Sequence, residues 1–273
     1  MKDQVMTRMK ENYESRTQSF LPRRAFSIIR LDGKAFHSYS KNLKKPFDDG
    51  LMNDMDETAI YLCKNIQGAK FAFVQSDEIS ILMTDFEKIE TDAWFDGNIQ
   101  KICSISASMA TSKFNQLRTN RFYVERYNNG TDQINWTWFL DAAKLKQAEF
   151  DSRVFTVPAK SEVANYFIAR QRDTIRNSVS SVAQSIFSHN ELNGKNVTKQ
   201  QEMVLEMGIN WDDYAIKYKQ GRFIEKQELL WTLPANDDGI SNGSYLRSKW
   251  LVVEPPVFTI EKDFLMSRIP DNL

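Results

Sequence analysis

The chain has 273 residues, and its 36 basic side chains balance 36 acidic ones, leaving a formal net charge of zero. A composition of 41% hydrophobic and 26% charged residues excludes a disordered or fibrous chain, and the charge balance means that any nucleic-acid surface has to be local. Two cysteines without metal spacing (Cys63 and Cys103), an N-terminus lacking an apolar signal core and the absence of a membrane-length apolar run lead to the expectation of a cytoplasmic, non-membrane protein without disulfides.

Taken in chain order, Ala25 to Leu31 (AFSIIRL) is apolar and partly β-branched, and Asp32-Gly33 follows it. This predicts a buried strand ending at a tight turn. Leu51, Met55, Ala59, Leu62 and Ile66 recur at steps of three and four, the stripe of an amphipathic helix. Asp48 and Asp49 stand where its N-cap and first-turn acid belong. Two apolar runs, FAFV and ISILM, flank the polar tip QSDE between Lys70 and Met83 and predict a β-hairpin. A second helical stripe follows at Trp94, Ile99, Ile102, Ile105 and Met109, and Arg153 to Val157 reads as a further strand.

The predicted order is β-α-β-β-α-β, an α+β palm of ferredoxin-like topology, with an antiparallel sheet carrying helices on one face. The palm is expected over residues 1–158. A mainly helical region, 159–273, is expected to pack on it, with helices from about Ser161 to Phe187 and Thr198 to Met207 and irregular strands in the tail. Residues 119–150 read as an inserted hairpin, because Phe122-Tyr123-Val124 and Ile134 to Trp138 flank Asn128-Asn129-Gly130. Its aromatics, interleaved with Arg118, Arg121 and Arg126, suit burial against the body or a partner subunit, with base stacking as the alternative.

Three carboxylates carry the chemical reading. Asp32 ends the first strand, while Asp77 and Glu78 occupy the hairpin tip. In this topology the first and third strands lie side by side and antiparallel, so the acids are expected to converge at one sheet edge. Packed carboxylates repel unless a cation sits among them. Hard oxygen donors suit Mg²⁺, and two such ions can clamp a phosphoryl displacement. Gly33, lacking a side chain, lets backbone approach a phosphate or metal.

The segments Arg30-Leu31-Asp32-Gly33-Lys34-Ala35-Phe36-His37, Lys45-Pro46 and Gln75-Ser76-Asp77-Glu78 resemble the tRNA-histidine guanylyltransferase family. So do Lys101-Ile102-Cys103-Ser104, Phe150 to Val154, Arg170 to Asp173 and Arg176-Asn177-Ser178. The resemblance implies a polymerase-like palm that grows RNA in the 3′-to-5′ direction. A nucleoside triphosphate, ATP or GTP, activates the 5′ phosphate of a tRNA, and the 3′-hydroxyl of an incoming nucleotide then attacks that end. It further implies that Asp32, Asp77 and the Gly33 carbonyl hold two Mg²⁺ ions with Glu78 in support. By the same resemblance, Lys34, Phe36, His37, Lys45, Ser76 and Lys101 form the nucleotide site, and the chain is a homo-oligomer, a dimer or tetramer.

Where eukaryotic members carry histidine-isoleucine-asparagine, this chain has Ile175-Arg176-Asn177. That departure resembles the bacterial and archaeal branch and implies template-directed repair of 5′-truncated tRNA. On the same helix Arg170, Arg172, Arg176 and Asn177 are candidate RNA contacts, the alternative being a solvated face with an internal Asp173–Arg176 pair. A nucleotide cyclase acting on free nucleotides and a non-catalytic RNA-binding module are the rival readings.

Overall fold

The computed structural model describes residues 3–128, 141–232 and 244–271. Its strands are β1 (Phe26–Gly33), β2 (Ala69–Gln75), β3 (Glu78–Met83), β4 (Phe150–Val157), β5 (Arg222–Thr232) and β6 (Ser244–Val253). They form one antiparallel sheet in the order β4-β1-β3-β2-β5-β6. The first four are the expected palm.

Alternation along β1 explains the layering. Ile29 and Leu31 face a core shared with helices α3 (Asp49–Asn65) and α4 (Ile99–Asn128), through Met55, Ala59, Leu62, Ile102 and Phe114. Phe26 and Ile28 face the opposite core. There helix α5 (Lys160–Gln184) contributes Val163 and Phe167, and the C-terminal segment contributes Phe258, Leu265 and Ile269. Helix α3 starts where the acids predicted, with Asp48 Oδ1 accepting the Leu51 N–H at 2.7 Å. The remaining helices are short: α1 (Gln4–Met9), α2 (Phe36–Tyr39), α6 (His189–Leu192), α7 (Val197–Glu206), α8 (Ile216–Lys219) and α9 (Lys262–Met266).

The expected hairpin over 119–150 needs correction. Phe122-Tyr123-Val124 lies inside α4, which runs unbroken for 30 residues to Asn128. The intrinsic β preference of this triplet loses to tertiary contacts. Arg118 and Arg121 share one face of α4 and both reach the buried Asp54 of α3, at 3.0 and 2.7 Å, which keeps the chain helical. The second predicted strand, Ile134 to Trp138, lies outside the described residues. The tail also differs from irregular strands and loops: β5 and β6 are long, and β5 pairs with β2 from Arg222 to Glu225, so the C-terminal region extends the palm sheet itself.

Candidate active site

The β2–β3 turn is two residues long, since Gln75 pairs with Glu78, leaving Ser76 and Asp77 at the tip. Ser76 adopts φ +44°, which turns the chain sharply and aims Asp77 toward the end of β1. A Cβ built on Gly33 would lie 2.9 Å from Asp77 Oδ2 and 2.2 Å from the Phe36 ring. Only glycine leaves room for the Asp77 carboxylate here. Asp32, one residue earlier, is close enough that its charge disfavours ionisation of Asp77. The two strand ends therefore bring Asp32 and Asp77 together.

The electrostatics follow from this packing. Burial, together with the charges of Asp32 and Glu78, pushes the Asp77 carboxyl up to about 6, against the opposing effect of the Ser76 hydroxyl and a backbone N–H. Glu78 behaves differently. Its oxygens are held by Arg30 at 2.7 Å and Arg170 at 3.0 Å, and Ser80 Oγ donates to Oε1 at 3.2 Å. Burial still raises its carboxyl above the ordinary value, with the two arginines opposing. Glu78 thus organises two guanidinium groups beside the acid pair, and Arg30 also reaches Asp32 at 3.4 Å.

These residues sit at one end of an open cleft of about 470 Å³. One wall is the loop Lys44 to Asp48, with the Phe47 ring stacked on Tyr218 at 4.7 Å. The opposite wall is a row of neutral polar side chains on α5: Thr174, Asn177, Ser178, Ser181 and Gln184. Arg222 closes the floor, fully buried and bound to Asp56 through Nε at 2.6 Å.

Of the other residues singled out by sequence, Lys45 and Ser76 line this cleft. Phe36 is buried under Gly33 in a ring cluster with Tyr39, Phe114 and Phe150. Lys34 is exposed and paired with Glu149 at 2.6 Å. His37 is exposed on α2, and Lys101 is exposed on the first turn of α4; neither is among the cleft residues. On α5, Arg170 turns inward to Glu78 and Asp173, Arg176 pairs with Asp173 at 2.5 Å, Arg172 is exposed and Asn177 reaches the cleft. The internal Asp173–Arg176 pair is thus present. Sequence reasoning missed Arg222, which comes from the tail, and the α5 hydroxyl row. The spacing of Thr174, Ser178 and Ser181 was the available signal, polar residues recurring on a helix face that packs inward.

The donor set fits a hard divalent cation. Asp32 and Asp77 offer oxygens at one sheet edge, and the Gly33 cradle keeps the approach open. Among the described residues no group of three or more His, Cys, Asp or Glu side chains comes together, so water and substrate oxygens would complete the shell.

A palm sheet that joins two carboxylates under an open cleft with lysines on its rim defines a palm-type nucleotidyltransferase. The family model for tRNAHis guanylyltransferase matches residues 6–158. The chain belongs to the tRNA(His) guanylyltransferase family. A probable tRNA(His) guanylyltransferase of Dictyostelium discoideum is 25% identical over 260 residues, covering 90% of each chain. A solved bacterial tRNA(His) guanylyltransferase (Thg1)-like protein in complex with ATP superposes with a TM-score of 0.78 at 36% identity, covering 98% of this chain and 99% of the other. A complex with GTP of a protein described in the same words gives 0.74 at 36% identity over the same shares. No helix among the described residues is long and apolar enough to cross a membrane.

Proposed function

We propose that this chain adds nucleotides to the 5′ end of a tRNA in the 3′-to-5′ direction, with Mg²⁺ held by Asp32, Asp77 and the Gly33 carbonyl. The observation that carries the reading is the meeting of Asp32 and Asp77 beside a glycine that no larger residue could replace. Bound Mg²⁺ would supply charge neutralisation on the phosphoryl oxygens.

The chain's own groups do the rest. The backbone at Gly33 leaves a path for phosphate, and Lys44 and Lys45 on the cleft rim neutralise a triphosphate. Arg30, fixed by Glu78, stands beside Asp32 with its charge toward the reacting end. Phe47 and Tyr218 offer an aromatic wall for a base, and the α5 hydroxyl row offers groups that both donate and accept hydrogen bonds. In the first step an oxygen of the tRNA 5′ phosphate attacks the α-phosphorus of a nucleoside triphosphate and pyrophosphate leaves. In the second, the 3′-hydroxyl of the incoming nucleotide attacks the activated 5′ phosphorus and the nucleoside monophosphate leaves.

Ile175-Arg176-Asn177 in place of histidine-isoleucine-asparagine supports template-directed repair of truncated tRNA as the preferred use. Incubating 5′-truncated tRNA with labelled nucleotides and Mg²⁺ tests the activity. Templated extension that Asp77→Asn abolishes, with tRNA binding retained, is expected. A cyclic nucleotide product formed without RNA would overturn the reading, as would an Asp77→Asn enzyme of undiminished turnover.

A further inference from the structure

The cleft does not account for all the cationic groups around it. Lys44 and Lys45 line it. Lys41 and Lys146 do not; both are exposed and neither has a carboxylate partner among the described residues. Lys146 Nζ stands 5.9 Å above the Tyr39 ring, and Lys41 follows Tyr39 by two residues, so both flank α2. Beyond them Arg118 lies against the Tyr39 hydroxyl, and Arg118 and Arg121 share the carboxylate of Asp54, with the charges of Glu125 and Asp48 also acting on Arg121. Two nearby acids are already paired with cations: Glu149 with Lys34, and Asp141 with Lys144 and Arg126. A ridge of unpaired positive charge therefore leads from Lys44 and Lys45 at the cleft to Lys41 and Lys146 beside α2.

A nucleoside triphosphate held in the cleft cannot use charge that lies outside it. Charge that continues past the pocket fits an anion that continues too, a phosphodiester chain with a negative charge at every residue. In a chain of zero net charge such a ridge is a local feature, and on α5 Arg170 and Arg176 are already tied to Glu78 and Asp173. Resting on the function proposed above, we propose that the Lys41–Lys146 ridge is the track for the tRNA backbone as its 5′ end enters the cleft. These lysines position RNA through phosphate contacts and read no base.

The test is the salt dependence of tRNA binding, read by fluorescence anisotropy with a truncated tRNA transcript, for the wild-type chain and Lys41→Gln/Lys146→Gln. Each lost phosphate contact lowers the slope of log K against log salt by about 0.9, so two contacts shrink the affinity change over a fourfold salt range by roughly tenfold. ATP binding, followed calorimetrically on the same proteins, is expected to be unchanged and shows that the variant is folded. Lys226→Gln/Lys249→Gln on the β5–β6 ribbon removes the same charge elsewhere and is expected to keep the wild-type slope.

An unchanged slope in the ridge variant overturns the proposal, and so does an equal loss in the ribbon control, which would make the effect one of net charge. Both outcomes leave templated extension by the wild-type chain untouched. A wild-type chain that binds no tRNA would instead remove the function on which the ridge depends.

Discussion

At the scale of single residues, the behaviour of Asp77 follows from its neighbours. Its carboxyl rises from 3.8 to about 6 because it is buried and faces Asp32 and Glu78. Between those two values the folded chain holds a proton that the unfolded chain has released, so stability falls as pH rises through the window. The expected loss is about 3 kcal/mol for a largely buried group. In chelator, the melting temperature should therefore drop between about pH 4 and pH 6, Asp77→Asn should flatten that limb, and Mg²⁺ should restore stability at neutral pH but not below about pH 4. A limb that survives in Asp77→Asn would assign the titration elsewhere. The sequence made Asp32, Gly33 and Asp77 visible because a turn glycine and two acids stood at the ends of unmistakable strands. It could not show that Glu78 is spent on Arg30 and Arg170, since that depends on how α5 crosses the sheet.

At the scale of elements, periodicity predicted α3 and α4, because each buries one stripe, and two apolar runs about a polar tip predicted the β2–β3 hairpin, whose strands are buried on both faces. It misread residues 119–128, where aromatic and β-branched residues imitate a strand, and the deciding contact is made by charges 64 and 67 positions apart in sequence. Asp54 is 2% exposed and holds both Arg118 and Arg121. Asp54→Asn keeps the shape and removes the charge. Because the two guanidiniums reach solvent, its cost should be about 2–3 kcal/mol, below that of breaking a fully buried pair. Urea unfolding measures that loss, and amide exchange should show residues 115–128 opening first. Uniform protection along α4 in the variant would mean that the aromatic face, and not the ion cluster, holds the distal half of the helix.

At the scale of the whole molecule, the division at residue 158 that the sequence suggested runs through a shared core. Phe71 and Phe73 of β2 pack against Phe223 of β5, Phe258 of the tail and Phe167 of α5, and Arg222 of β5 pairs with Asp56 of α3 under the cleft. Removing residues 159–273 would uncover one entire face of the sheet, leave β2 as a bare edge and strand Asp56 as a buried, unpaired acid. Burial already raises the Asp56 carboxyl even with Arg222 beside it. The two halves are therefore expected to unfold as one unit, with a single urea transition by circular dichroism and by tryptophan fluorescence. Residues 1–158 alone should aggregate or expose apolar surface, although they hold Asp32, Asp77 and all of the family match. A soluble 1–158 fragment with its own cooperative transition would show instead that the palm is a self-sufficient domain, and that the cleft wall built by α5 and Arg222 is an addition to it.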